Sequence, residues 1–194
     1  TTAGTFDLPD VERVEVLKGP QGTLFGRNAT GGAIQVITRK PSYEPEGMVS
    51  ASYGNFNDIV AKGHVSVPLV ADQIAVSLSG FYHNSDTYYK NLRPGSKLEG
   101  EDSWQVRGKV RLNNAESNLE VVLSGAYGKR SETFAIYGTP LNGNTVTKLL
   151  DPNAIIPSKP YEAALNDDAK PQKNESLDLS ARAELSLDFG TLTS

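Results

Sequence analysis

Apolar and polar side chains alternate along six segments of the chain from residue 47 onward. In the segment WQVRGKVRL, which covers residues 104–112, Trp104, Val106 and Val110 alternate with charged or amide side chains. A period of two is typical of a β-strand that has one apolar and one polar face. The six segments are 47–54, 56–67, 73–83, 104–112, 119–127 and 176–188. They predict an all-β fold of antiparallel strands.

The two faces of these predicted strands differ in a way that indicates a membrane. In a soluble sandwich, the inner faces carry bulky side chains that interdigitate with a second sheet. Here the apolar face mixes Leu and Val with Ala and Gly, and the opposite face is densely charged. Lipid on the apolar face and a water-filled or plugged lumen on the polar face would explain both compositions. The pattern therefore predicts part of an antiparallel transmembrane β-barrel.

The connections between the segments alternate in length, and aromatic residues lie beside the longer ones. Residues 68–72 and 113–118 are predicted short turns, whereas 84–101 and 130–174 are long loops. Short turns at one end and long loops at the other are typical of outer-membrane barrels. Four aromatic residues lie on the apolar face next to the long loops: Tyr53, Tyr82, Trp104 and Tyr127. We interpret them as an aromatic girdle at the extracellular boundary.

Composition excludes several other classes of protein. The net charge of −4 argues against a nucleic-acid binder, and the absence of cysteine excludes disulfides and thiol catalysis. His64 and His83 have no potential ligands at helical spacing, so no metal site is predicted. No Ser/His/acid set or defined carboxylate pair is present, and we therefore predict neither an enzyme nor a cofactor. No apolar run approaches the ~20 residues that a transmembrane helix needs.

A glycine-rich stretch, GPQGTLFGRNATGGAIQVITRKP, precedes the alternating segments at residues 19–41. Its glycines match neither the P-loop spacing nor the dinucleotide-binding spacing G-x-G-x-x-G, so nucleotide binding is not predicted. The remaining interpretation is a compact loop in which the glycines supply positive φ angles or allow close backbone approach.

The wider stretch LPDVERVEVLKGPQGTLFGRNATGGAIQVITRKP, residues 8–41, closely resembles the end of the plug domain of TonB-dependent outer-membrane receptors. In that family, a strand similar to VERVEVLKG leads into a glycine-rich turn and a short helical segment. A strand similar to GGAIQVITR then leads to the barrel. The family often has Arg at the position of Lys18, and Lys cannot form the same bidentate ion pair between plug and barrel. The motif residues are assigned a structural role: Lys18, Gly19, Pro20, Gly22, Gly26, Arg27, Gly31 and Gly32.

The resemblance implies energised import of a scarce nutrient across the outer membrane of a Gram-negative bacterium. The implied ligand is a ferric siderophore or another iron complex. The implied partners are outer-membrane lipids and TonB with ExbB and ExbD, which act on the plug from the periplasm. Residues 1–41 are predicted to be the C-terminal part of the plug, and residues 42–194 the first strands of the barrel. Because such barrels have about 22 strands, the chain is expected to be a fragment, with the signal peptide, TonB box and remaining strands outside it.

Two sets of residues follow as candidates for functional roles. The alternation assigns ten charged or histidine side chains to the lumen: Asp58, Lys62, His64, Arg107, Lys109, Arg111, Glu120, Asp178, Arg182 and Glu184. Aromatic and arginine side chains are common affinity anchors, and five in the long loops are predicted to be extracellular ligand contacts: Tyr88, Tyr89, Arg93, Phe134 and Tyr137.

Two alternative functions remain open at this point: a passive porin-like channel, and a soluble all-β ligand-binding domain such as a lectin-like sandwich. If the apolar face meets lipid, Val106→Arg should destabilise the protein by about 2–4 kcal/mol, whereas Arg107→Gln should cost little. The strands near Val49 and Leu179 are expected to be the two edges of an open, curved meander.

Overall fold

The computed structural model of the chain describes residues 9–25, 31–93, 98, 100–114, 116–132, 146–164 and 172–194. Two short α-helices lie in these ranges, α1 at Gly22–Phe25 and α2 at Val146–Leu150. The strands are β1 Val11–Lys18, β2 Gly32–Thr38, β3 Glu46–Gly54, β4 Asp58–Val70, β5 Ile74–Ser85, β6 Lys90–Asn91, β7 Glu101–Asn114, β8 Leu119–Glu132, β9 Glu162–Ala163, β10 Gln172–Leu187 and β11 Gly190–Thr193. No helix within the described ranges is long and apolar enough to cross a membrane.

Strands β1 and β2 pair antiparallel and form a separate hairpin at the N-terminal end. Gly19 follows β1 with φ +86°, and Gly32 begins β2 with φ +142°. A Cβ atom at Gly32 would lie 2.5 Å from the carbonyl oxygen of Leu17, which is closer than real contacts allow. Both glycines thus adopt backbone conformations that favour glycine, and at Gly32 a side chain would also clash. Gly26 and Arg27 lie outside the described residues.

Seven strands form the main sheet, in the order β11-β10-β8-β7-β5-β4-β3, and every neighbouring pair is antiparallel. The five central strands contain 12 to 16 residues each. About ten tilted residues suffice to cross the apolar band of an outer membrane. The predicted all-β, antiparallel barrel-type fold is confirmed, and its strands are long enough to span that band.

The C-terminal end of the sheet differs from the sequence prediction. Leu185 pairs with Leu192 and Ser186 with Thr191, so β11 covers the last part of β10. The strand around Leu179 is therefore not the edge along its whole length, and the predicted edge is wrong there. The strand β11 has four residues, including Gly190, and is too short for alternation to distinguish it from a turn.

The four connections assigned from the sequence follow the predicted alternation, with tighter turns than expected, whereas the turn 55–57 between β3 and β4 is short and lies at the long-loop end. β4 extends to Val70 and β7 to Asn114, because Asp72 and Asn118 adopt the left-handed conformation with φ 55° and 52° and reverse the chain within a few residues. At the opposite end, residues 86–100 and 133–171 are long. Within them, β6 and β9 pair parallel, with the amide of Leu92 donating to Ala163 O at 2.7 Å.

Burial in the main sheet is inverted relative to a water-soluble protein. The buried side chains on its polar face are His64, Ser66, Ala75, Ser77, Ser79, Ser103, Lys109 and Ala126. The large exposed side chains on its apolar face include Val49, Val65, Val67, Leu78, Val106, Leu112, Leu123, Leu177 and Leu179. Leaving about ten such side chains in water forgoes roughly 15–30 kcal/mol of burial free energy. The apolar face must therefore meet an apolar environment, which argues against the soluble sandwich.

Candidate functional site

The N-terminal hairpin is joined to the polar face of the main sheet through its base. The contacts come from Asp10, just before β1, and from residues 38–43, which include the end of β2 and the segment that follows. The amide of Arg39 donates to the carbonyl of Asp10 at 2.8 Å, so the two parts of the base are also bonded to each other. We call these residues the hairpin base. Two groups of ion pairs connect the hairpin base to the sheet.

The first group surrounds Asp10. Its carboxylate is buried and accepts hydrogen bonds at 3.2 Å from Arg107 Nη1 through both oxygens. Lys109 Nζ lies 3.2 Å from Asp10 Oδ2 and donates to Thr38 Oγ1 at 2.6 Å and to Arg39 O at 2.7 Å. One carboxylate of the hairpin base is thus compensated by two cations of β7. A buried charge is stable in a folded protein when it is paired and hydrogen-bonded in this way.

The second group surrounds Lys40. Its ammonium group donates to Glu120 of β8 and, at 3.0 Å, to Glu184 of β10. Arg111 of β7 donates from Nε to the second oxygen of Glu120 at 2.8 Å and from Nη1 to Pro41 O at 3.2 Å. Its guanidinium group also stacks over the ring of Tyr43, 4.5 Å from the centroid. This group therefore connects the hairpin base to three strands.

The protonation state of Lys40 favours this contact at neutral pH. Burial lowers the pKa of Lys40, but the hydrogen bonds to Glu120 and Glu184 outweigh that effect and raise its pKa above the ordinary 10.5. A lysine with a raised pKa contributes its stabilisation below its ordinary pKa and loses it as the pH rises through the raised value. The contact is therefore fully formed throughout the neutral range.

The two groups lie at different heights on the sheet. Arg111 and Glu120 flank the turn between β7 and β8, so the Lys40 group lies at the short-turn end. Arg107 precedes Arg111 by four residues on β7, which places the Asp10 group about 13 Å nearer the middle of the strands. The hairpin base is thus fastened at two levels, one at the short-turn end and one within the sheet.

Five of the ten residues assigned to the lumen take part in these groups: Arg107, Lys109, Arg111, Glu120 and Glu184. The other five share the polar face: Asp58, Lys62, His64, Asp178 and Arg182. Arg182 pairs with Glu184 at 2.6 Å. Ser66, which is fully buried, accepts a hydrogen bond at 2.8 Å from the amide of Ser42. Alternation placed Ser66 on the polar face. It did not single out Asp10, Lys40, Ser42 or Tyr43, because it does not report which segment packs against a polar face.

The prediction that Arg107→Gln costs little stability is wrong, because Arg107 contacts the hairpin base. The Arg107 guanidinium group is mostly buried and donates to both oxygens of Asp10. Leaving a buried charge without any partner costs about 3–5 kcal/mol. Lys109 still pairs with Asp10 in the variant, so the cost is smaller than that but larger than for a surface pair. In addition, the ion pair between the hairpin base and the sheet is formed by Asp10 and Arg107 Nη1, whereas the carbonyl of Lys18 accepts from Gln21 Nε2 at 3.5 Å.

Aromatic side chains cluster at the long-loop end. Tyr88 and Tyr89 lie 4.4 Å apart between ring centroids, and Phe56 contacts Tyr88 edge-on at 6.3 Å. Phe56 has φ 62°, a conformation that bulky residues rarely adopt, and its carbonyl accepts from the amide of Asp86 at 2.7 Å. Arg93 is exposed in the same loop. Phe134 and Tyr137 lie outside the described residues.

A cavity of about 770 Å³ lies beside this cluster. It is lined by the start of β7, the end of β8 and the beginning of β10, including Glu101, Trp104, Lys129, Arg130 and Glu175. Trp104 contacts Tyr127 edge-on at 5.6 Å, and Tyr82 is paired with Trp104 across β5 and β7. Three of the four aromatic residues that the sequence assigned to a girdle are therefore neighbours on one face at the long-loop end, and Tyr53, two strands away from Tyr82, pairs with Ile59.

The chain is similar to known receptors in both sequence and fold. A family model described as the TonB-dependent Receptor Plug Domain matches residues 1–33. The pesticin receptor of Yersinia pestis is 39% identical over 62 residues, which cover 32% of this chain and 9% of the relative. The ferrioxamine B receptor of Salmonella typhimurium is 30% identical over 105 residues, covering 53% of this chain and 15% of the relative.

Solved structures support the fold over most of the chain. The ferric yersiniabactin uptake receptor of Yersinia pestis matches with a TM-score of 0.75 at 21% identity, over 92% of this chain and 26% of that structure. A ferric-catecholate import receptor of Escherichia coli matches with a TM-score of 0.67 at 20% identity, again over 92% of this chain and 26% of that structure.

The fold is that of the barrel strands of an outer-membrane receptor, preceded by a plug-type hairpin. The chain resembles the TonB-dependent receptors, in its sequence at the N-terminal end and in its fold. Its relatives are transport receptors rather than enzymes, and receptors of this family are outer-membrane proteins of Gram-negative bacteria. The chain spans between about a tenth and a sixth of the length of the curated relatives that it matches.

Proposed function

We propose that the chain is part of an outer-membrane importer of a ferric siderophore or another iron complex. Residues 1–41 belong to its plug and residues 42–194 to its barrel. TonB, with ExbB and ExbD, rearranges the plug and thereby admits the ligand. The observation that carries this proposal is the attachment of the plug-type hairpin to the polar face of a sheet whose apolar face is exposed. That arrangement fits a plug inside a barrel surrounded by lipid.

The ion pairs of the hairpin base fit a plug that must remain closed without ligand. Asp10 and Lys40 each bind two opposite charges of the barrel strands. Polar contacts can be replaced by water when the plug moves, whereas a large apolar interface would expose its surface at high cost. A plug held by ion pairs and hydrogen bonds can therefore be both closed at rest and movable under force.

The names of the relatives support iron complexes as the ligand class. Relatives are described as receptors for ferrioxamine B, and similar structures as receptors for ferric yersiniabactin and ferric catecholates. Tyr88, Tyr89 and Arg93 at the long-loop end are proposed ligand contacts, with Phe56 as an addition from the structure. The lumen assignment of the polar-face residues is part of the same proposal.

Uptake by the full-length receptor tests the proposal. The receptor is expressed in a Gram-negative strain that lacks its own siderophore receptors, and uptake of radioactive iron is measured as the ferrioxamine B, enterobactin and yersiniabactin complexes. We expect uptake of at least one complex, abolished when TonB is deleted. Uptake that persists without TonB would favour a passive channel. Absence of uptake of all three complexes would contradict the assigned ligand class.

A further inference from the structure

A row of charged side chains crosses four strands on the polar face at the long-loop end. His83 of β5 lies at its centre, with Nε2 2.9 Å from Asp58 Oδ1 of β4 and Nδ1 3.6 Å from Glu101 Oε1 of β7. The same Glu101 oxygen accepts from Ser103 Oγ at 3.0 Å and lies 3.5 Å from Arg130 Nη2 of β8. Arg130 also binds Glu132 at 2.7 Å. The row is separate from the ion pairs of the hairpin base.

Both ring nitrogens of His83 face carboxylate oxygens, and this geometry distinguishes the two protonation states of the ring. A neutral imidazole has one N–H donor and one acceptor nitrogen, whereas the charged ring donates from both. If the neutral ring donates to Asp58, the lone pair on Nδ1 points at Glu101, which can only accept. The charged ring instead donates to Asp58, lies at ion-pair distance from Glu101 and compensates part of the charge of both carboxylates. The arrangement is therefore complete only when His83 is protonated.

The row also contacts the segments that form the long-loop end. Asp58 begins β4 directly after the turn 55–57, and that turn is bonded to Asp86 through Phe56 O and Asn57 Nδ2. Glu101 and Arg130 both line the cavity of about 770 Å³. Loss of the link between His83 and Glu101 would leave Glu101 bound to Ser103 and Arg130 only. At this height β4 would then reach β7 only through β5, whose backbone pairs with both strands.

We propose that His83 is a protonation-dependent brace that ties the ends of β4 and β7 together across β5. When His83 is protonated, the ends of β4 and β7 are held together and Glu101 is held at the cavity wall. When His83 is deprotonated, both contacts weaken. Among the described residues, the charged groups that face the ring are Asp58 on β4 and Glu101 on β7, with Arg130 and Glu132 beyond Glu101 on β8. Histidine is the side chain whose charge ordinarily changes between about pH 5 and 8.

A distance measurement in the full-length receptor tests the brace. Spin labels are attached to cysteines introduced at Asn55, in the turn before β4, and at Asp102 of β7, in a background without other cysteines. We expect a narrower distance distribution at about pH 5.5 than at about pH 8, because only the charged ring connects both strands. His83→Gln should give the broad distribution at both pH values.

His64→Gln is the matched control, because His64 is the other histidine of the chain and lies on the same polar face, 3.5 Å from Glu46. This variant should keep the pH response. Asp58→Asn retains His83 but removes one of its carboxylates, and it should lose the response. An unchanged distribution in the parent protein, or a pH response that survives His83→Gln or Asp58→Asn, would overturn the proposal.

Discussion

At the scale of single residues, the contact between the hairpin and the sheet depends on a few charges whose partners lie on different elements. Asp10 is compensated by Arg107 and Lys109, and Lys40 by Glu120 and Glu184. Each pair is at least partly buried, so its energy is less screened than that of a surface pair. Surface pairs such as Glu12 with Arg13 contribute about 0–1 kcal/mol, whereas breaking a buried pair costs several times more.

Asp10→Asn should therefore loosen the base of the hairpin. The variant keeps the shape of the side chain but leaves Arg107 and Lys109 without a carboxylate, which should cost about 3 kcal/mol. The quantity to measure is the opening free energy of the β1 amides, by hydrogen exchange in the full-length receptor. Glu12→Gln is the control, because this neighbouring acid pairs only at the surface, and it should change the value by less than about 1 kcal/mol. Equal effects at both positions would argue against the buried pair.

At the scale of elements, backbone conformation determines where the hairpin and the sheet reverse direction. Gly32 allows β2 to begin directly against Leu17 of β1, because a Cβ atom there would meet the carbonyl oxygen at 2.5 Å. Gly31, one residue earlier, has no such neighbour within 4 Å and no positive φ. A side chain is therefore excluded at Gly32 but not at Gly31.

Gly32→Ala should destabilise the hairpin, and Gly31→Ala should not. A non-glycine residue in such a backbone conformation costs about 1–3 kcal/mol, to which the close contact with Leu17 adds. Hydrogen exchange of the β1–β2 amides in the full-length receptor measures this difference. Comparable protection in the two variants would show that the close approach at Gly32 is not required.

At the scale of the whole molecule, the sequence predicted the sheet well and its contacts poorly. A period of two reports which face a side chain takes, so the polar positions of β4, β5 and β7 were assigned correctly to the face that is buried. It does not report which segment covers that face, and Asp10, Lys40 and Tyr43 could not be found from their own surroundings in the sequence. β11 was missed because four residues carry too little alternation. The hairpin was implied by the resemblance of residues 8–41 to the end of a plug domain, whereas the glycines alone indicated only a compact loop.

The central claim is that the exposed apolar face meets lipid and the opposite face does not. Leu179 and Ser180 of β10 test it most directly, because they are adjacent, both are exposed, and they lie on opposite faces. In the full-length receptor folded into lipid bilayers, Leu179→Arg should lower the free energy of unfolding by about 2–4 kcal/mol if it lies near the midplane, whereas Ser180→Arg should lower it by less than about 1 kcal/mol. Equal losses at the two positions, or a larger loss at Ser180, would contradict the assignment of the two faces.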